Sequence, residues 1–171
     1  TELPKTESTS EIEEKPDVII DFSVPVATLN ILSYAKENNI PVVIATTGFT
    51  KEQLNTINEY SKHIPIFKSA NMSYDINLMA KIVASLSKSL PNTDIEIIET
   101  HHNRKIDSPS GTALFLADSI NEANNNKMIY EFDRHNKREK RNKLEIGFSS
   151  IRGGNIVGEH TVQFFGEHET L

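Results

Sequence analysis

Apolar positions fall into two regimes along the chain. Through residues 17–67 they come as short runs rich in β-branched residues, separated by stretches with helical spacing. Residues 17–22 hold Val18, Ile19, Ile20 and Phe22, the composition of a strand buried in a parallel sheet. Ser23-Val24-Pro25 ends it. Over residues 26–38 the apolar positions 26, 27, 29, 31, 32, 34 and 35 predict a helix that stops at Asn39. Residues 41–45 predict a second strand, leaving through Thr46-Thr47-Gly48. Residues 51–62 predict a polar helix with Leu54, Ile57 and Tyr60 turned inward, and residues 64–67 a third strand. Strand, helix, strand, helix, strand in so short a span implies parallel pairing through right-handed crossovers and reads as doubly wound α/β. Ligands of such sheets bind beyond the carboxyl ends of the strands. Those ends are Asp21-Phe22-Ser23, Thr46-Thr47-Gly48 and Ser69-Ala70-Asn71-Met72.

The second regime is different. Residues 76–90 place Ile76, Leu78, Met79, Ile82, Val83, Leu86 and Leu90 on one helical face, ended by Pro91. Residues 94–100 alternate as a half-buried strand, with Ile95, Ile97 and Ile98 among acids. A short helix is predicted over 111–121, behind Ser108-Pro109-Ser110, and residues 124–143 are largely polar. Residues 144–150 and 160–165 alternate like strands and are joined through a turn containing Gly153, Gly154 and Gly158. The fold class is therefore α/β. A partial Rossmann-like parallel domain over 1–73 precedes an α+β domain over 74–171 with a mixed or antiparallel sheet and one open face. Residues 1–16, polar and with two prolines, read as a loop or a disordered start.

Composition narrows the chemistry. The 171 residues include no Cys, so a disulfide framework, a thiolate nucleophile and a cysteine metal site are all excluded. No apolar run approaches the roughly 20 residues of a membrane span, and no membrane association is expected. The net charge of −6 argues against a broad nucleic-acid surface. Six of the eighteen Lys and Arg lie in residues 134–143, but Asp133 and Glu139 interrupt them and no aromatic stacks among them. A solvated loop or a subunit contact is the expectation there, and nucleic-acid binding the rival.

The informative stretch is residues 99–112, Glu99-Thr100-His101-His102-Asn103-Arg104-Lys105-Ile106-Asp107-Ser108-Pro109-Ser110-Gly111-Thr112. It follows a strand and opens a helix. His exchanges protons near neutral pH, and Lys is a point charge that holds a carboxylate or gives a proton. Ser110-Gly111-Thr112 sits where free backbone N–H groups and the helix dipole favour an anion. Cations followed by a helix start make a clamp for a small dianion. Taken piecemeal, the same residues read as a surface His pair, as a metal site with Glu99 and Asp107, or as an ordinary helix cap.

This stretch resembles the signature of the dihydrodipicolinate reductase (hydroxytetrahydrodipicolinate reductase) family of lysine and diaminopimelate biosynthesis, E-x-H-H-x-x-K-x-D-A-P-S-G-T-A. It matches at Glu99, His101, His102, Lys105, Asp107, Pro109, Ser110, Gly111, Thr112 and Ala113, with Ser108 in place of Ala. Asp21-Phe22-Ser23, Thr46-Thr47-Gly48, Ala70-Asn71-Met72-Ser73 and the run from Arg152 to His160 resemble further family segments, in family order. The resemblance implies NAD(P)H-dependent reduction of 4-hydroxy-tetrahydrodipicolinate to tetrahydrodipicolinate in the cytoplasm, by a homotetramer built through the second domain's sheet, with no metal. It implies that His101 is the catalytic acid and Lys105 a proton donor and carboxylate partner. It implies that His102, Ser110, Gly111 and Thr112 contact the dicarboxylate. Ala45, Thr46, Thr47, Ser69, Ala70, Asn71 and Met72 would lie along NADH or NADPH. The family's first strand, its G-x-x-G-x-x-G turn and its closing helix find no match, so the sequence reads as a middle portion whose own activity is impaired. Asp75, where the family has Gly, reads as a helix-start acid. The rival readings are a non-catalytic dicarboxylate binder and a His-based metal-dependent hydrolase.

Overall fold

The computed structural model describes residues 14–69 and 71–171. The chain divides into two compact units, Thr1–Ala70 and Asn71–Leu171. The polar start is described only from Glu14 on, and residues 1–13 lie outside the described residues.

In the first unit, strands β1 (Ile19–Asp21), β2 (Val42–Ile44) and β3 (Ile66–Lys68) alternate with helices α1 (Pro25–Asn38) and α2 (Lys51–Tyr60). All pairings are parallel, in the order β1-β2-β3. The strands are shorter than their apolar runs because only three residues of each find ladder partners. Pro25, whose fixed φ suits a first helical turn, starts α1, and Asn39 stops it in the left-handed region at φ 52°. A capping box of Thr50 and Gln53 starts α2. Thr28, Leu32 and Ala35 recur at helical spacing and form the buried face of α1, whereas Val26 points outward. Leu32 and Ala35 pack with Ile57 and Ile64 onto Val42 and Ile44. Each such fully buried aliphatic side chain contributes about 1.5–3 kcal/mol.

Strands added in one direction with right-handed crossovers carry their helices on one face, and among the described residues α1 and α2 cover one face only. The other face aligns Ile20, Val43 and Phe67 in register, with Ile20 59% and Phe67 60% exposed.

Asp21 ties the carboxyl ends of β1 and β2 together. Its carboxylate accepts from the Ser23 N–H at 2.9 Å, and from the Ser23, Thr28 and Thr46 hydroxyls at 2.5, 2.5 and 3.0 Å. Burial alone would raise its pKa, but these donors outweigh burial and lower it. A lowered carboxylate stabilises the fold above the unfolded value of about 3.9 and loses that contribution as pH falls through the folded value. Asp21→Asn is expected to destabilise the first unit by about 1–3 kcal/mol at pH 7, with the gap to wild type closing as pH falls below about 4. Thermal melts at pH 7 and pH 3 check this, and identical melts at pH 7 would contradict it.

The second unit contains α3 (Tyr74–Ser89), β4 (Asp94–His101), α4 (Gly111–Ala123), β5 (Ile129–Glu131), β6 (Glu145–Arg152) and β7 (Glu159–Phe165). Ser73 caps α3, and Asp75 lies in its first turn, where the helix dipole favours an acid. The sheet is mixed, in the order β5-β6-β4-β7: β4 and β5 run parallel to β6, and β7 runs antiparallel to β4. The Gly-rich segment 153–158 therefore does not join neighbouring strands, because β4 lies between β6 and β7. β4 buries every second residue, so Ile95 and Ile97 meet Ile146, Phe148 and Phe164 beneath α3 and α4.

Part of the opposite face is strapped by the basic segment. Arg134 donates to Glu145 at 2.6 Å, Lys137 pairs with Glu131, and Arg141 pairs with Glu96. Arg141 also donates to the carbonyls of Ile95 and Glu145 at 2.6 and 3.0 Å. Gly147 lies under this strap, where a Cβ would collide with the Glu96 carboxylate. Residues 134–143 are thus not simply solvated: three of their bases neutralise acids carried by the sheet.

Candidate functional site

The strand repeat that buries Ile95 and Ile97 also puts Glu99 and His101 on the same side of β4, at its carboxyl end. His101 is 8% exposed, and its Nδ1 lies 2.5 Å from Oε2 of the buried Glu99. The parallel register of β6 sets Arg152 opposite His101. Its guanidinium donates to both Glu99 oxygens, at 2.9 and 2.8 Å, and to the Asp107 carbonyl at 2.8 Å. Antiparallel β7 sets His160 opposite Glu99. The His160 ring meets His101 edge to face with centroids 5.2 Å apart, and its Nε2 lies 2.8 Å from Ser110 Oγ.

Ser110 belongs to the frame of the site. Its hydroxyl caps α4 by accepting from the Ala113 N–H at 3.1 Å, and its own N–H donates to Glu99 Oε1 at 3.2 Å. Burial would raise the Glu99 carboxyl, but donors on Arg152, Ser150 and His101 outweigh it and hold it at about 2. Burial, with a smaller contribution from neighbouring His101, pushes His160 down. The pair reads chemically as a fixed carboxylate against one imidazole, with a second imidazole kept toward neutrality.

Beside this pair lies the start of α4. Gly111 opens α4 with its φ outside the left-handed region, and a Cβ there would meet nothing within 4 Å. The fold does not require glycine at this position, so its effect is open space against the helix start. The N–H groups of a first helical turn have no acceptor within the helix. Thr112 Oγ1 accepts from Asn71 Nδ2 at 2.9 Å and keeps its own proton to donate. Lys105 Nζ is paired with Asp107 at 2.8 Å. His102 is half-buried, and its buried Nδ1 has no partner among the described residues. Arg104 turns aside to Asn155 at 2.8 Å. The metal reading needs at least three converging ligands, and among the described residues no such group of His, Asp and Glu forms.

The remaining candidates sit as follows. The Ala45 N–H donates to the Asp21 carbonyl at 2.8 Å, and Thr46 is buried with its hydroxyl on Asp21. Thr47 and Gly48 are exposed at the end of β2, with Gly48 at φ 82° and open space where a Cβ would be. Ser69 is half-buried beyond β3, Ala70 lies outside the described residues, and Met72 is exposed. Asn71 joins the second unit: besides Thr112, its Oδ1 accepts from the Ser73 N–H and its carbonyl from Asn77 Nδ2, both at 2.8 Å. In the sequence Arg152, Gly158 and His160 stand out only as motif letters, and Glu99 only as a motif letter and a metal partner. The available signal for Glu99 was its parity with His101 along a strand.

The family model described as Dihydrodipicolinate reductase, N-terminus, matches residues 1–72, and that described as Dihydrodipicolinate reductase, C-terminus, matches residues 75–171. The 4-hydroxy-tetrahydrodipicolinate reductase of Caldanaerobacter subterraneus subsp. tengcongensis is 48% identical over 99% of this chain and 68% of its own length. That of Clostridium novyi is 50% identical over 98% of this chain and 67% of its own length. Among solved structures, a dipicolinate-bound dihydrodipicolinate reductase from Paenisporosarcina sp. TG-14 aligns with a TM-score of 0.67 at 28% identity, over 91% of this chain and 60% of that one. The chain thus spans about two thirds of the curated relatives it matches. With both halves matched in order and the motif residues 99–113 running from the carboxyl end of β4 into the start of α4, the chain belongs to the dihydrodipicolinate reductase family, oxidoreductases of lysine biosynthesis that use NADH or NADPH.

Proposed function

We propose that this chain serves the NAD(P)H-dependent reduction of 4-hydroxy-tetrahydrodipicolinate to tetrahydrodipicolinate, with His101 as the acid and the start of α4 as a carboxylate cradle. The observation that carries this reading is His101, locked on Glu99, in the same unit as an α4 start left open by Gly111. NAD(P)H, when bound, supplies the hydride. Hydride addition leaves an electron pair on the substrate ring, and His101 delivers a proton to that atom. Before the hydride arrives, the substrate hydroxyl leaves with a proton of the adjacent ring carbon as water, which makes the ring double bond that accepts the hydride. The backbone of Gly111 and the Thr112 hydroxyl hold one carboxylate, and His102 and Lys105 hold the other, Lys105 exchanging Asp107 for it. Ser110 supports the cradle by fixing the helix start.

In the first unit, Ala45, Thr46, Thr47, Ser69, Ala70, Asn71 and Met72 are the proposed nicotinamide edge. Exposed Thr47 and open Gly48 at a parallel strand's carboxyl end fit a flat ring. Thr46 acts there through its backbone, because its hydroxyl is held by Asp21. The open face of the mixed sheet, with Ile151 half exposed, supports a homotetramer built through it. Among the described residues no helix is long and apolar enough to cross a membrane, and a cytoplasmic location belongs to the same reading.

The test is oxidation of NADH or NADPH, followed by absorbance, on adding 4-hydroxy-tetrahydrodipicolinate to the protein carrying this sequence. Substrate-dependent oxidation is expected, and its absence from a folded protein that binds the dicarboxylate would leave only the non-catalytic reading. Gly111→Val adds a specific check. Its side chain enters open space, so the melting curve is expected to stay within about 1 kcal/mol of wild type. Dicarboxylate affinity is expected to fall about tenfold or more. Unchanged affinity would remove Gly111 from the cradle.

A further inference from the structure

We infer that Glu99, clamped by Arg152, is the positioning residue of His101: it fixes Nδ1 as the protonated nitrogen and leaves Nε2, beside Gly158, as the atom that exchanges protons. The inference rests on the reductase reading above, in which His101 is the acid.

A carboxylate that accepts from the two guanidinium nitrogens of Arg152, from the Ser110 N–H and from His101 is an acceptor only. The nitrogen facing it must carry hydrogen. Neutral His101 therefore keeps its proton on Nδ1 and its lone pair on Nε2, the less common arrangement for an unconstrained imidazole. Protonation and deprotonation both occur at Nε2, so each turnover begins from one ring orientation. Arg152 holds the carboxylate from a second strand, which keeps Glu99 from rotating with the ring it orients.

Gly158 is an independent observation. A Cβ there would lie 2.8 Å from His101 Nε2, and its φ lies outside the left-handed region, so the turn itself does not require glycine. The missing side chain spares the exchanging nitrogen a contact that any other residue at 158 would force on it. The neighbouring imidazole cannot take the same role, because His160 Nε2 is engaged by Ser110. Among the described residues, the charged and titratable groups of this cluster are Glu99 from the same strand, Arg152 from β6 and His160 from β7, with Lys105 acting on His160 and Asp107 on Arg152 from the following loop.

The test begins with this chain, labelled with nitrogen-15, and long-range proton–nitrogen correlation of the His101 ring at alkaline pH. Wild type is expected to show Nδ1 protonated and Nε2 bare; the opposite pattern would overturn the inference without any variant. In Glu99→Gln the amide both donates and accepts, so the Nε2-protonated form is expected to appear, and Glu99→Asp is expected to restore part of the wild-type pattern. In the protein carrying this sequence, Glu99→Gln is expected to lower kcat by about 10²–10⁴-fold, with KM for the dicarboxylate changed less than about threefold. An unchanged tautomer or an unchanged kcat would overturn it. Gly158→Ala keeps the kinetic arm open should Glu99→Gln fail to fold: the Nδ1 proton is expected to stay while kcat falls, and an unaltered kcat would count against the exposed-Nε2 part. Dipicolinate titration of wild type separates the two readings, since failure to bind strikes the reductase reading and leaves the tautomer result standing.

Discussion

His101→Ala is expected to lower turnover about 10³-fold while leaving dicarboxylate affinity within about threefold, the split expected of a group used in proton transfer and not in ground-state binding. The fold should survive, because Glu99 keeps both guanidinium bonds from Arg152 and the Ser110 N–H after the imidazole is gone. No buried carboxylate is orphaned. Steady-state kinetics on the protein carrying this sequence, beside calorimetric titration with dipicolinate, give the two numbers. A variant with full turnover would end the acid role. An equal loss in both quantities would make His101 a binding residue.

Lys105→Ala is expected to damage both quantities, with affinity down about tenfold or more, as for loss of a charge-assisted hydrogen bond, and turnover down as well. Lys105 is 21% exposed and holds Asp107, itself 60% exposed, at 2.8 Å. An ion pair this open is worth less than about 1 kcal/mol, so a substrate carboxylate can displace Asp107 at small cost. Asp107→Asn should for the same reason shift affinity less than about fivefold. If Lys105→Ala bound the dicarboxylate as tightly as wild type, the second carboxylate would have to be held elsewhere. If Asp107→Asn proved the more damaging of the two, Asp107 would be a positioning group and not a displaceable partner.

The parts of the fold legible in the sequence are those where periodicity is set by burial. β4 alternates because one face meets α3 and α4, and Met79, Val83 and Leu86 of α3 face that core for the same reason, whereas Leu78 and Ile82, expected on the same stripe, stay 44% and 49% exposed. β5 escaped because Ile129-Tyr130-Glu131 is a short edge strand inside a polar tract, where pairing with β6 decides the structure and hydrophobicity does not. The order of β6, β4 and β7 escaped because alternation reports faces, not neighbours. The bases of 134–143 looked solvated because their acidic partners Glu131, Glu145 and Glu96 sit on three different strands. At the site, adjacent motif residues were legible as a set: His101, Lys105 and Gly111 lie within one loop and its flanking elements. The supporting groups were not, since Arg152 and His160 reach His101 only through sheet register. Ser110, read as a contact for the dicarboxylate, is buried with its hydroxyl and N–H engaged inside the frame.

Calorimetric titration of this chain with dipicolinate, beside a His102→Ala/Lys105→Ala variant of the same chain and with circular dichroism on both samples, decides whether the start of α4 holds a dicarboxylate. Saturable binding to wild type is expected, and its loss in the folded double variant, because a cradle at Gly111 and Thr112 that holds one carboxylate cannot retain the dianion alone. Equal binding by both chains, or no binding by a folded wild type, would contradict a dicarboxylate clamp at the start of α4.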